Sequence, residues 1–300
     1  MRIAGIDIGS NTSLLLIVEQ TKEGFEVLSD KIYFTRLAEN IEKSSQKISE
    51  SALSRLDQAL SSMRENLNKW QVKEYSIVAT SAARQAVNKS RILALGEKYN
   101  LSPIQIISAE KEAELTFIGS FFGLGHEVEN PLVIDIGGGS TEFVSSKKSY
   151  SLNTGSVSLT EKFLSHQALS KWEKTSLDHY IQKKIKPVES FLQDNYDGLI
   201  FTAGTPTTLA FMEKQTEDMN KIHGLTLTKS HAQFWLEKLS QLTVEERKKV
   251  PFLPEHRTDV IISGLSLLKK ILDKAEKNEF IVSATGVRYG LILEKLQKNF

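Results

Sequence analysis

Residues 131–144 read PLVIDIGGGSTEFV. An apolar run, Leu132-Val133-Ile134, ends at Asp135. Ile136 follows, then Gly137, Gly138 and Gly139, then Ser140-Thr141-Glu142, and apolar character returns at Phe143-Val144. Apolar runs broken by clustered glycines predict a strand, a tight turn and a second strand. Three consecutive glycines let the backbone come close to a ligand and aim its N–H groups at one point, which suits phosphate. Asp135, at the strand end, is placed to hold a hydrated Mg²⁺ facing such phosphates. Alone, the segment reads equally well as a glycine-rich hairpin with an incidental acid.

A second copy changes that balance. Near the N-terminus Ile6-Asp7-Ile8-Gly9 runs into Ser10-Asn11-Thr12 and the apolar stretch Leu14 to Val18. Ile134-Asp135-Ile136-Gly137 matches it, and both loops end in hydroxyl residues. Two strand–Asp-Ile-Gly–turn–strand units predict two similar domains facing a shared cleft. The paired loops resemble the phosphate loops of the superfamily of acetate and sugar kinases, heat-shock 70 proteins and actin. The wording DIGSNT (7–12) and VIDIGGGSTEF (133–143) more narrowly resembles the exopolyphosphatase/guanosine pentaphosphate phosphatase family, and the likeness runs from Ile3 to about Leu293.

The chain has 300 residues, enough for two domains with separate cores. Its 40% hydrophobic and 25% charged residues are ordinary for a soluble protein. The absence of cysteine excludes disulfides, thiol catalysis and Cys-ligated metals, and fits a reducing cytoplasm. No apolar run approaches the roughly 20 residues that span a bilayer. Arg2 leads straight into a strand and its Asp, so the N-terminus does not read as a signal peptide. A cytoplasmic protein without membrane or nucleic-acid partners is expected; a homodimer stays open. With a formal net charge of +1, a polyanion would be held by local positive charge and not by a global field.

In the first half, Phe25 to Phe34 predicts a strand region, followed by Arg36, which faces the cleft or is a lone surface arginine. Leu53, Leu56, Leu60, Met63 and Leu67 step by three and four, so Ser49 to Trp70 predicts a scaffold helix. The strand Tyr75 to Thr80 turns into a helix. There Ala79, Thr80, Ala82, Arg84, Ala86 and Asn88 match the family pattern A-T-x-A-x-R-x-A-x-N. Hydroxyls and a cation at a helix start suit a phosphate, and equally an N-cap with a surface arginine. The match favours Arg84 as a phosphate ligand. After a short strand, Ile104 to Ile107, Ser108 to Leu115 resembles the family's S-G-x-E-E-A-x-L, whose second Glu is the catalytic carboxylate. That residue is Glu112; without the resemblance the acidic run reads as a solvated helix start. Ala109 replaces the family Gly, which restricts the turn if it needs positive φ. Lys111 replaces the first Glu, and a cation beside Glu112 would lower its pKa.

Gly119, Gly123 and Gly125 read as a crossing between domains; Gly123-Leu124-Gly125 lacks the third glycine of a dinucleotide fingerprint, and no Walker lysine motif exists. Ser149 to Thr154 predicts a strand, and Gly155 to Leu159 resembles a family turn before helices that run from about Leu159 to Asn195. Strand Leu199 to Phe201 opens Thr202-Ala203-Gly204-Thr205-Pro206, which resembles the superfamily's third glycine loop; Pro206 in a first helical turn is also good structural grammar. His223 to Lys229 reads as loop. Helices follow at Lys229 to Leu239, Thr243 to Val250 and Val260 to Leu272, then a strand at Phe280 to Val282. Arg257, Asp259 and Gly264 match a family segment to which no chemistry is assigned. The last helix, Val287 to Leu296, is expected to pack on the first domain. The six histidines show no metal-binding spacing. Longer family members carry a C-terminal His-Asp domain; only the two-domain core is expected here.

The expected fold is α/β: two actin-like (ribonuclease H-like) domains, 1–121 with 287–300, and 122–286, each a mixed sheet flanked by helices, with an interdomain cleft. The resemblance implies hydrolysis of a terminal phosphoryl group from inorganic polyphosphate or guanosine pentaphosphate. It implies phosphate binding by Gly9, Ser10, Asn11, Thr12, Arg84, Gly137, Gly138, Gly139, Ser140, Thr141, Gly204 and Thr205. Asp7, Asp135 and Glu142 would place Mg²⁺ (or Mn²⁺), and Glu112 would orient or deprotonate the attacking water. Two rivals stand beside it: an ATP-dependent kinase of the same superfamily, and a guanosine-polyphosphate or polyphosphate sensor that has lost turnover, which the departures at Ala109 and Lys111 suggest.

Overall fold

A computed structural model describes residues 1–41, 45–124, 128–165 and 167–297. Gly125, read above as part of a crossing, lies outside the described residues. The contacts divide the chain into two compact units, Met1–Gly119 with Gly286–Phe300, and Ser120–Thr285.

The first unit begins with three antiparallel strands, β1 (Arg2–Ile8), β2 (Ser13–Gln20) and β3 (Phe25–Tyr33). Helix α1 (Glu50–Lys69) follows, then β4 (Glu74–Ala79), α2 (Ser81–Gln85), α3 (Ser90–Lys98), β5 (Gln105–Ile106) and α4 (Ala109–Ser120). The sheet order is β3-β2-β1-β4-β5, with β4 parallel to β1 and β5 parallel to β4. Side chains alternate along β1, so Ala4, Ile6 and Ile8 share one face. They are buried with Leu53, Leu56, Leu60, Met63 and Leu67 of α1. Full burial of each such large side chain contributes roughly 1.5–3 kcal/mol. The predicted helix is thus where the periodicity put it, with the Ser49 hydroxyl accepting from the Ala52 N–H as its N-cap.

The second unit contains β6 (Pro131–Ile136), β7 (Thr141–Val144), β8 (Ser149–Leu152), α5 (Ser156–Phe163), α6 (Lys171–Ile185), α7 (Glu189–Leu192) and β9 (Gly198–Thr202). It continues through α8 (Gly204–Lys214), α9 (Met219–Ile222), β10 (Thr226–Thr228), α10 (Lys229–Ser240), α11 (Val244–Arg247), α12 (Ile261–Lys274) and β11 (Glu279–Val282). The sheet order is β10-β11-β9-β6-β7-β8. β9 and β11 run parallel to β6 on one side; on the other, β7 is antiparallel to β6 and β8 antiparallel to β7. The segment His223 to Lys229, read as loop, contains β10. This edge strand of three residues pairs with β11 and is too short to show an alternation.

The chain then returns to the first unit as α13 (Val287–Gln297), which packs on β1 and β2. Small residues let α13 cross α4 with backbones touching. A Cβ on Gly119 would lie 2.1 Å from the Gly286 carbonyl oxygen, and one on Gly290 2.1 Å from that of Leu115. No helix among the described residues is long and apolar enough to cross a membrane.

Candidate active site

The two Asp-Ile-Gly loops are built alike. In the first, the Gly9 N–H donates to the Thr12 carbonyl at 2.9 Å; in the second, Gly137 donates to Ser140 at 3.0 Å. The glycines are required by tightness and not by positive φ. A Cβ on Gly9 would meet the Thr12 carbonyl oxygen at 2.9 Å, and one on Gly137 the Ser140 oxygen at 3.0 Å. Neither glycine is in the left-handed region.

Each loop has its carbonyls tied down from one side. The N–H groups of Arg36 and Ala38 donate to the carbonyls of Asn11 and Ser10, both at 2.9 Å. Arg36, with φ of 46°, therefore acts through its backbone as a support of the first loop. In the second loop the α5 N-terminus takes this part. Ser156 N–H donates to the Gly137 carbonyl at 3.0 Å, and Val157 and Ser158 N–H donate to that of Gly138 at 2.9 and 3.2 Å. A trans peptide holds its N–H opposite its C=O. The N–H groups of Asn11 and Thr12, and of Gly138 and Gly139, therefore point away from these supports, two amides to one side in each loop. Paired backbone amides of this kind suit an anion. Asn11 adds an orphaned amide: the residue is 5% exposed, and neither Oδ1 nor Nδ2 has a hydrogen-bond partner. A buried polar group left so is costly unless a ligand completes it.

Asp135 is registered opposite Glu142 on β7 and beside Thr202 on β9, and Glu142 opposite Ser151 on β8. A polar row thus crosses the sheet at the end of the loop. The Ser151 hydroxyl donates to Glu142 Oε1 at 2.9 Å. Two carboxylates directly opposite on neighbouring strands repel each other, so the pair gains from a cation. In the first unit Asp7, 9% exposed, lies near the buried Arg288 guanidinium. Burial works against the Arg288 charge, and Asp30, joined by Tyr289 and Asp7, outweighs it. Arg288 holds Asp30 in a two-pronged ion pair, both contacts at 2.8 Å, and the Tyr289 hydroxyl donates to Asp30 at 3.3 Å. Two carboxylates there act on one guanidinium. Among the described residues no three His, Cys, Asp or Glu side chains form a group that could hold a metal ion. The cross-strand pair Asp135 and Glu142 would suit an ion such as Mg²⁺, which is commonly held by one or two carboxylates with phosphates and water completing its shell.

Glu112 lies in the first turn of α4 and its side chain is 12% exposed. Arg84, in α2, donates from Nη1 to Glu112 Oε2 at 2.5 Å and to the Ile107 carbonyl at 3.2 Å. Burial pushes the Glu112 carboxyl above the ordinary range, against the pull of Arg84 and Thr80. The expectation for Lys111 is corrected here, and the condition set for Ala109 is not met. Lys111 does not lower the Glu112 pKa: its ammonium turns to Glu114 at 3.0 Å and Glu294 at 2.8 Å, tying α4 to α13. Ala109 meets no strain, since its φ is not positive and it simply opens the helix. Glu110 and Glu114 carry no comparable enclosure; Glu110 is exposed at the helix start.

The remaining predicted positions divide. Ser10 and Ser140 are buried within their loops. Thr141 is fully buried and its hydroxyl donates to the Thr154 carbonyl at 2.7 Å, so its side chain braces the second loop. In the third loop, a Cβ on Gly204 would lie 2.0 Å from the Arg257 guanidinium, and Thr205 packs against Gly264 of α12. The backbone strain there falls on Ala203, at φ of 73°. Asp30, Arg288 and the Ile107 carbonyl were not anticipated. Arg288 lies in the first turn of α13, on the last helix the sequence predicted, whereas nothing near Asp30 marks it.

The family model described as "Ppx/GppA phosphatase family" matches residues 16–299. A bifunctional 3-dehydroquinate synthase/phosphatase of Fusobacterium nucleatum is 34% identical over 99% of this chain and 47% of its own length. The chain thus spans about half of that curated relative. The crystal structure of the Aquifex aeolicus Ppx/GppA family member superposes with a TM-score of 0.83 at 28% identity, covering 100% of this chain and 99% of that one. An exopolyphosphatase from Cytophaga hutchinsonii superposes with a TM-score of 0.91 at 25% identity, covering 99% and 98%.

Proposed function

The chain belongs to the Ppx/GppA phosphatase family, and we propose that it is a phosphohydrolase releasing terminal phosphate from inorganic polyphosphate or guanosine pentaphosphate. The observation that carries this reading is the second loop. Its carbonyls are bound to α5, two amides point away from that support, and Asp135 and Glu142 stand side by side along it. That combination suits a phosphate and a cation together. The exopolyphosphatase name of the Cytophaga relative agrees with polyphosphate as one substrate.

Phosphoryl transfer asks for positioning and charge neutralisation more than for covalent chemistry. In each unit, taken by itself, the loop amides are placed to take phosphate oxygens. Asp7 in the first unit, and Asp135 with Glu142 in the second, are the residues that would hold Mg²⁺, which when bound offsets charge on the phosphate oxygens. Arg84 has Nε and Nη2 available for a phosphate oxygen: neither makes a hydrogen bond among the described residues. Glu112 orients the attacking water and takes its proton late. The departures that suggested a sensor without turnover, Ala109 and Lys111, leave this carboxylate untouched.

The test is phosphate release from polyphosphate and from guanosine pentaphosphate, side by side, with Mg²⁺ and in excess chelator. Wild type should release phosphate without any added acceptor. Glu112→Gln should cut turnover by about 10²–10⁴-fold. Consumption of ATP only with an acceptor would make the chain a kinase; tight binding without release would make it a sensor.

A further inference from the structure

Arg84 and Glu112 sit on different elements, α2 and α4, yet one guanidinium nitrogen joins them. Nη1 carries two hydrogens. One goes to the Ile107 carbonyl, just ahead of α4, and the other to Glu112 Oε2, on its first turn. Both sides of this short turn are therefore clamped by the same nitrogen. The turn is further closed by the Glu112 N–H, which donates to the Ser108 carbonyl at 3.0 Å. A phosphate ligand alone would need no such anchoring, and a surface arginine would be more open than the 22% exposure of the Arg84 side chain.

We propose that Arg84 is a positioning residue for Glu112: Nη1 fixes Oε2 so that Oε1 is presented to water, while the other edge of the guanidinium remains open to substrate. The inference rests on the reading of Glu112 as the water-orienting carboxylate. Arginine suits this task because its donors are fixed in a plane. Of the charged groups around Glu112, Arg84 is the one that bears on it. Lys111 is engaged with Glu114 and with Glu294 of α13, and Glu110 is exposed on the same helix.

The experiment is a double-mutant cycle on steady-state phosphate release, with Arg84→Gln, Arg84→Lys, Glu112→Gln and the double variant Arg84→Gln/Glu112→Gln. Each is checked for folding by its thermal melt. Arg84→Gln should lower kcat by about 10²-fold, the usual cost of a misplaced reacting group. Its acid limb should move to higher pH, since a cation that favours the ionised carboxylate is gone. Arg84→Lys, which keeps the charge and loses the fork, should lower kcat with KM near wild type. The double variant should be no slower than Glu112→Gln, because the arginine then has nothing to position. Arg84→Gln raising only KM, additively with Glu112→Gln, would overturn the proposal while leaving Glu112 in its role. Full activity of Glu112→Gln would instead remove the reading on which it rests.

Discussion

Glu112 is held between two opposing influences, and the balance has a consequence in pH. Burial disfavours its charged form and Arg84 favours it; burial prevails, so the carboxyl lies above the ordinary range. A base must be ionised to act. The acid limb of the kcat/KM profile should therefore lie above the ordinary glutamate value of about 4.3. Lys111→Glu discriminates between sequence and structure at this point. If Lys111 acted on Glu112, the substitution would raise the limb. Its ammonium instead bridges Glu114 and Glu294, both partly exposed pairs. The limb should stay in place, and the melt should show a loss of about 1 kcal/mol as carboxylates gather between α4 and α13. A shifted limb with an unchanged melt would contradict this geometry. The sequence supplied Glu112 through its motif. It could not supply the direction of Lys111, because the partner Glu294 is distant in the chain and no local pattern marks it.

At the level of elements, the second loop and α5 are one device. Gly155 caps α5 with no room above it: a Cβ there would lie 2.5 Å from the Gly138 carbonyl oxygen and 2.6 Å from that of Gly137. Those are the carbonyls whose orientation turns the loop amides outward. Gly155→Ala must push α5 away from the loop, at a cost of about 1–3 kcal/mol. It should weaken phosphate binding, measured as a raised KM for polyphosphate and a lower Tm. Gly198→Ala is the comparison. Its Cβ would meet only the Val128 side chain, at 3.2 Å, and substrate affinity should stay as in wild type. An unchanged KM in Gly155→Ala would separate the loop from phosphate. Both hairpins were legible in sequence because each sets two apolar strands around a short polar, glycine-bearing turn. The support of the first loop by the backbone of Arg36 and Ala38 was not, since backbone hydrogen bonds carry no residue signature. The edge strand β10 was hidden for another reason: three residues cannot establish a period of two.

Across the whole molecule, 38 basic residues face 37 acidic ones. Many lie in exposed or half-exposed pairs, such as Arg91 with Glu50 and Lys98 with Asp57. Such pairs cancel the far field that would draw a polyanion from a distance. If polyphosphate is the substrate, as proposed, a chain of this composition should capture it after contact, through loop amides, a cation and a few local charges such as Arg84. That separates the two kinetic effects of salt. Neutralised phosphates release their counterions, so affinity for long polyphosphate should fall linearly in log salt, by analogy with single-stranded nucleic acid at roughly −0.7 per phosphate. Without long-range steering, association should change little, and the loss should appear in dissociation. Stopped-flow binding of long polyphosphate over a salt series reads both rates. An association rate that collapses with salt would reveal a steering patch that the balanced composition hides. An affinity that stays flat would remove local electrostatic capture altogether, and leave the uncharged loop amides as the main grip on the chain.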